Sequence, residues 1–172
     1  MMMNLRNDLL EFTGNYFQTT KETIAIAESV TAGFLQFSFS QIKDASTFFK
    51  GGITAYTLEE KVRFLKVDRK EAEENDCVSQ NIADTMALNV TDLFHTDWGI
   101  AITGYATPVE ESEHRLFAYF SFVYKNKTVF SHKMNLNSRK EAINAQMCYS
   151  EFILECLKVE MEKQLTMKEK EN

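Results

Sequence analysis

Serine and lysine are the residues through which this sequence could do covalent chemistry. Ser29 and the preceding Glu28 end a short apolar run, Thr23 to Ala27, and Val30, Thr31, Ala32 and Gly33 follow. A serine on such a strand-to-helix turn has backbone N–H groups beside it that can stabilise an oxyanion or a phosphate. It also needs a base, and the three histidines are badly disposed for it. His95 ends an amphipathic stretch, His114 lies in an acidic loop, and His132 falls within a hairpin pattern. No Gly-x-Ser-x-Gly elbow is present. Lys61 remains, five residues after Tyr56, so both could face the Ser29 turn. A lysine with pKa ~10.4 is neutral about once in 2,500 molecules at pH 7, so burial or a neighbouring phenol must lower its pKa by roughly three units. Serine–lysine pairs achieve this on several folds. The same residues also read as structure alone, with Ser29 and Thr31 as helix caps and Lys61 as a solvated helix residue.

Other arrangements carry less. Ser40-Gln-Ile-Lys43 matches the S-x-x-K of penicillin-binding enzymes but has no Ser-Asp-Asn or Lys-Thr-Gly with it. Glu110, Glu111, Glu113 and His114 read as a solvated acidic turn rather than a metal site. Cys77, Cys148 and Cys156 are odd in number and form no C-x-x-C pair, which speaks against a zinc ribbon or a disulfide framework. Buried, reduced thiols and an N-terminus unlike a secretory signal imply a cytoplasmic protein.

The elements that must position Ser29 and Lys61 follow from the hydrophobic pattern. The chain has 172 residues, one proline, 44% hydrophobic residues and a net charge of −6. That acidity argues against direct nucleic-acid binding, and no apolar run reaches the ~20 residues of a membrane span. Leu5, Leu9, Phe12 and Tyr16 recur at helical spacing, with Asn4 as N-cap. Thr23–Ala27, Phe48–Tyr56 and Trp98–Thr103 read as buried strands. Thr57 and Glu60 form a capping box for a helix that carries Lys61 in its first turn, and Ser79 caps the next helix. Arg115–Tyr124 and Thr128–Leu136 predict an antiparallel hairpin. Ser138 and Glu141 form a capping box for a final helix with Ala142, Ala145, Tyr149, Phe152 and Cys156 on its inner side. The alternation predicts one three-layer α/β/α domain with a mixed sheet over 1–172, its core at about 5–160 and a charged, fraying tail at 161–172.

Ala27-Glu-Ser-Val-Thr-Ala-Gly33 resembles the A-E-S-C-T-G-G signature of the CinA C-terminal domain family, the nicotinamide-nucleotide amidohydrolases. The likeness continues through Ala45-Ser46, Phe49, Gly51-Gly52-Ile-Thr-Ala-Tyr56, Lys61, Leu65-Lys-Val67, Cys77-Val-Ser79, Met86-Ala87, Ala101-Ile-Thr-Gly-Tyr-Ala-Thr-Pro108 and Ser138-Arg139. It covers about residues 5–157. The resemblance implies an amidase that converts nicotinamide mononucleotide to nicotinic acid mononucleotide and ammonia without metal or organic cofactor. Ser29 would be the nucleophile, Lys61 the general base, and Tyr56 its hydrogen-bonding partner and proton relay. Substrate would be held by Thr31, by the backbone N–H groups around Ala32 and Gly33 as oxyanion donors, and by Arg139 and the Thr103-Gly104 turn at the phosphate. Family members often self-associate, which implies a homo-oligomer, a dimer or higher, with Phe34, Phe37 and Phe39 facing core or interface. The family's association with competence and DNA damage implies an alternative, a weak or inactive member that binds a nucleotide-like ligand or serves as a damage- or competence-associated accessory protein. Val30, Ala32 and Thr107 depart from the family's residues, and VEESEHRLFAY replaces its glycine-rich loop after Pro108.

Overall fold

Strand β1 (Ile24–Glu28) is buried along its whole length, and its alternation sets the two layers around it. Ile24 and Ile26 enter one apolar cluster and Ala25 and Ala27 the other. The computed structural model describes residues 5–137 and 139–171. Asn4 and Ser138, read as helix caps, lie outside the described residues.

β1 pairs in parallel with β2 (Phe49–Thr54) on one side and β3 (Trp98–Gly104) on the other. β4 (Leu116–Tyr124) runs antiparallel to β3, and β5 (Lys127–Leu136) antiparallel to β4, giving the order β2-β1-β3-β4-β5. Lys125 and Asn126 close the hairpin with φ of 48° and 62°, the backbone that a two-residue turn between twisted strands requires.

On the isoleucine face lie α1 (Asn7–Thr20), α2 (Phe34–Ser40) and α6 (Ala142–Glu171), packed on Trp98, Ile100, Phe120 and Phe122. On the alanine face lie α3 (Leu58–Leu65), α4 (Arg69–Glu74) and α5 (Gln80–Phe94). The small residues there let α5 press on the sheet backbone: a Cβ at Gly99 would stand 2.4 Å from the Ala87 carbonyl. This is the expected three-layer α/β/α domain with a mixed sheet. Side-chain caps fix the entries of three helices. Thr57 accepts from Glu60 N–H (3.5 Å), Asp68 from Glu71 N–H (2.8 Å) and Ser79 from Ile82 N–H (3.1 Å).

Two features differ from the sequence reading. α4 was not expected, because its six residues RKEAEE bury only Ala72 and so carry no apolar period. The tail expected to fray continues α6 through Glu171, with Met161 and Gln164 buried and Lys168 Nζ donating to Glu22 at 2.5 Å. Of the three phenylalanines of α2, Phe39 is core and Phe37 is 42% exposed. Among the described residues no helix is long and apolar enough to cross a membrane.

Candidate functional site

The carboxyl ends of the parallel strands open onto a cavity of about 600 Å³, whose walls include Ser29, Lys61, Asp76, Thr103, Gly104 and Gln146. Ligands of open α/β sheets bind at this edge. Ser29 follows the last residue of β1; its N–H donates to the Ile102 carbonyl of β3 (3.1 Å), which pins the turn to the sheet. Lys61 projects from the inner face of α3 and is 2% exposed.

Lys61 Nζ and Ser29 Oγ are 2.9 Å apart. Nζ also donates to the carbonyls of Ala55 (2.9 Å) and Tyr56 (3.4 Å). Nζ thus has three oxygen partners, one for each N–H of an ammonium, and after loss of one proton the two carbonyls can keep two N–H bonds while the lone pair turns to the serine hydroxyl. Burial pushes the Lys61 pKa below lysine's ordinary value, and the nearby Cys77 and Asp76 oppose that shift. The pair thus combines a direct contact between hydroxyl and amine with an amine whose pKa burial lowers, the two features that serine activation by lysine draws on.

The turn after Ser29 is shaped by Glu28. Its fully buried carboxylate accepts from Thr31 Oγ1 (2.5 Å), Gly33 N–H (3.1 Å), Leu35 N–H (3.1 Å) and Gln36 N–H (2.7 Å). It thereby caps α2, while Ala32 (φ 52°) and Gly33 (φ 97°) carry the chain through a left-handed bend. Three expectations change in consequence. Gly33 N–H is committed to Glu28, and Ala32 N–H to the Ser29 carbonyl (3.1 Å), so neither is free to hold an oxyanion. The Thr31 hydroxyl is likewise held by Glu28 and points away from the cavity wall. Within the turn from Ser29 to Gly33, the amides with no protein acceptor are those of Val30 and Thr31, the first two after Ser29.

Tyr56 meets Lys61 through its main-chain carbonyl; its side chain stands at the cavity rim, 67% exposed. Thr103 and Gly104 line the cavity, and the Thr103 hydroxyl donates to the Cys77 carbonyl (2.8 Å). Arg139 is absent from this wall. It lines a separate depression with Lys140, Glu141 and Glu151, so it does not face the space beside Ser29. Ser112 of the acidic loop is buried, and no His, Cys, Asp or Glu of that loop or elsewhere among the described residues joins a group able to hold a metal ion.

Several residues of the site escape the sequence reading. Gln146 of α6 lines the cavity and donates to the Val30 carbonyl (3.0 Å) across 116 residues of sequence. Asp76 accepts from the Tyr105 hydroxyl (3.0 Å), and Tyr149 Oη donates to the Tyr105 carbonyl (2.9 Å). The glutamate ending an otherwise apolar strand was the one available signal for the Glu28 cap.

The sequence pattern of the CinA C-terminal domain matches residues 6–159 of this chain. A competence-damage inducible protein of Streptococcus pneumoniae is 36% identical over 121 residues, covering 70% of this chain and 29% of that relative. A CinA-like protein of Picosynechococcus is 34% identical over 121 residues, covering 69% and 29%. The match thus spans less than a third of the length of these relatives. The solved competence or damage-inducible protein from Enterobacter asburiae superposes with a TM-score of 0.84 at 22% identity, over 92% of this chain and 99% of its own. The competence/damage inducible protein CihA from Agrobacterium tumefaciens gives 0.83 at 21%, over 92% and 99%. At such identities these two structures speak for the fold.

Proposed function

The chain belongs to the CinA C-terminal domain family, and from that premise we propose that it is a serine–lysine amidohydrolase acting on nicotinamide mononucleotide or a close relative. The observation that carries this reading is the 2.9 Å contact between Lys61 Nζ and Ser29 Oγ, with Lys61 buried and its pKa lowered.

The chemistry needs only groups of this chain, the amide and water. Ser29 Oγ attacks the carboxamide carbon as Lys61 Nζ takes the hydroxyl proton. The amide oxygen gains negative charge beside Val30, which lines the cavity and whose N–H has no protein acceptor. Lys61 then gives its proton to the departing nitrogen, the C–N bond breaks, and ammonia leaves a seryl ester. Water attacks that ester as Lys61 takes one of its protons, the C–O bond to Ser29 breaks, and Lys61 returns the proton to Ser29 Oγ, which frees the carboxylic acid and the serine hydroxyl. The Ala55 and Tyr56 carbonyls hold Nζ in place throughout. The partner under this reading is a small molecule, and nothing in the mechanism calls for nucleic acid, a membrane or a cofactor.

Ammonia release from nicotinamide mononucleotide tests the reading. The native chain turns the nucleotide over, and Ser29→Ala and Lys61→Ala each reduce the rate by about 10³-fold or more while the fold, read by circular dichroism, is kept. A native chain that binds the nucleotide without turnover would instead make the protein a ligand-binding member of the family.

A further inference from the structure

The charge of the cavity wall departs from what a phosphorylated substrate requires. Its charged residues among those described are Lys61, Glu73 and Asp76. Lys61 acts as a base only when neutral, so the working cavity presents two carboxylates and no cation. Phosphate sites carry arginine, lysine or a row of free amides, and Arg139, the expected phosphate partner, lies in another depression. Arg69 approaches Glu73 at 3.7 Å from outside the cavity while it is bonded to Glu59 at 2.8 and 2.6 Å. Asp76 forms no ion pair with any described residue; its contact is the Tyr105 hydroxyl. Burial and the Asp76 carboxylate hold the Tyr105 phenol above its ordinary pKa, so it remains a donor, and Glu111 adds further negative potential there.

Asp76 is also presented at a conformational cost. Asp76 and Cys77 have φ of 48° and 60°, two successive non-glycine residues in the left-handed region. The turn is locked by Cys77 N–H to the Ala72 carbonyl (2.8 Å), Val78 N–H to the Asn75 carbonyl (2.9 Å) and Thr103 Oγ1 to the Cys77 carbonyl (2.8 Å). Strain of this kind persists where the surroundings over-determine it, which is common at ligand-facing segments. Tyr56 and Tyr105 also line the cavity, and aromatic rings attract a delocalised cation.

An N-ribosylated pyridine carboxamide carries a permanent positive charge on its ring, and nicotinamide itself carries none. We propose that Asp76, aided by Glu73, selects carboxamides borne on such a cationic ring and disfavours a phosphate on the same molecule, so that the phosphate-free nucleoside is processed at least as well as the mononucleotide. This rests on the amidohydrolase reading for its chemistry and makes Asp76 the specificity-determining residue of the site.

The experiment compares kcat/KM for nicotinamide riboside, nicotinamide mononucleotide and nicotinamide on the native chain, Asp76→Asn and Glu73→Gln, each at the pH where its rate is maximal. The riboside value equals or exceeds that of the mononucleotide. Asp76→Asn lowers the riboside value about tenfold, leaves nicotinamide within about twofold, and moves the ratio toward the mononucleotide. Glu73→Gln, a change on an exposed helix face, moves the ratio the same way by a smaller factor. A native preference of tenfold or more for the mononucleotide, or an Asp76→Asn loss equal for all three amides, overturns the proposal. If no amide yields ammonia, the hydrolase reading fails by itself. Calorimetry of riboside and mononucleotide on Ser29→Ala then decides the charge preference: riboside affinity lost with Asp76→Asn supports it, and affinity unchanged by that substitution overturns it.

Discussion

The two ends of β1 each carry a buried glutamate, and they are built in opposite ways. Glu28, at the carboxyl end, is satisfied by its own neighbourhood: every donor to it lies within eight residues along the chain. Glu22, just ahead of the strand, collects Tyr16 Oη (3.0 Å), Trp98 Nε1 (2.9 Å), Tyr124 Oη (2.6 Å) and Lys168 Nζ (2.5 Å) from four separate elements. One carboxylate bends the turn that carries Ser29; the other ties α1, β3, β4 and the end of α6 to a single point. The contrast separates a shaping role after the strand from a clamping role ahead of it.

The largest test of that separation is Glu28→Ala. It leaves the amides of Gly33, Leu35 and Gln36 without their acceptor in a buried turn, and should destabilise the fold by about 4 kcal/mol in urea unfolding. Because Ser29 adjoins it, kcat/KM for ammonia release falls by about 100-fold or more even where the protein remains folded. Activity surviving at near-native level would mean that the turn holds its shape without the cap.

Glu22→Gln is the matching change at the other end. Losing the charge that faces Lys168 should cost about 2 kcal/mol of stability, with kcat/KM within about twofold of native. Burial raises the Glu22 pKa, but hydrogen bonds from Lys168, Tyr124, Trp98 and Tyr16 outweigh it and hold the carboxyl below its ordinary value. A depressed folded pKa contributes stability that is present above the unfolded value, about 4.3, and is lost as pH falls through the folded one. Native stability therefore drops with acidification below about pH 4.5, and the Gln variant shows a shallower drop over the same range. A Glu22→Gln chain that loses activity while keeping stability would erase the distinction between the two ends.

This same difference governs what could be read beforehand. The strands, the hairpin and the Thr57 cap follow from local patterns, whereas Ser29 and Lys61 stood only as candidates on spacing and were joined by the resemblance to the CinA C-terminal domain family. Ala32 was visible as a departure from the family's glycine, but the left-handed bend it takes and the Glu28 carboxylate beneath it were not. Gln146, Asp76 and the Glu22 cluster depend on contacts across 116, 29 and up to 146 residues. No periodicity or spacing encodes which of many exposed-type side chains the topology will bring together. The tail shows the consequence: it has the composition of a fraying helix end, yet Met161 and Gln164 are buried and Lys168 reaches the buried Glu22.

Asp76→Asn sharpens the chemistry at the carboxyl end. The Asp76 charge opposes the depression of the Lys61 pKa, so its removal lowers that pKa further. Activity depends on neutral Lys61, and the rate therefore rises with pH through its pKa. In the variant the acid limb of the kcat profile moves to lower pH. A limb that stays in place would mean that another group sets it. Glu22→Gln, across the sheet, leaves the limb where it is.

The smallest expected effect is that of Tyr56→Phe, and it decides how the strand-end residues act on Lys61. The Tyr56 carbonyl, which accepts from Nζ at 3.4 Å, survives the substitution, whereas the phenol at the exposed rim is lost. If the main chain is what steadies the base, kcat falls by about threefold or less and the pH limb does not move. A phenol relaying the proton would cost about 10² or more on removal. A fall of that size would show that the side chain swings inward over bound substrate, and the carboxyl end of β1 would then owe its chemistry to a movement as well as to the Glu28 turn.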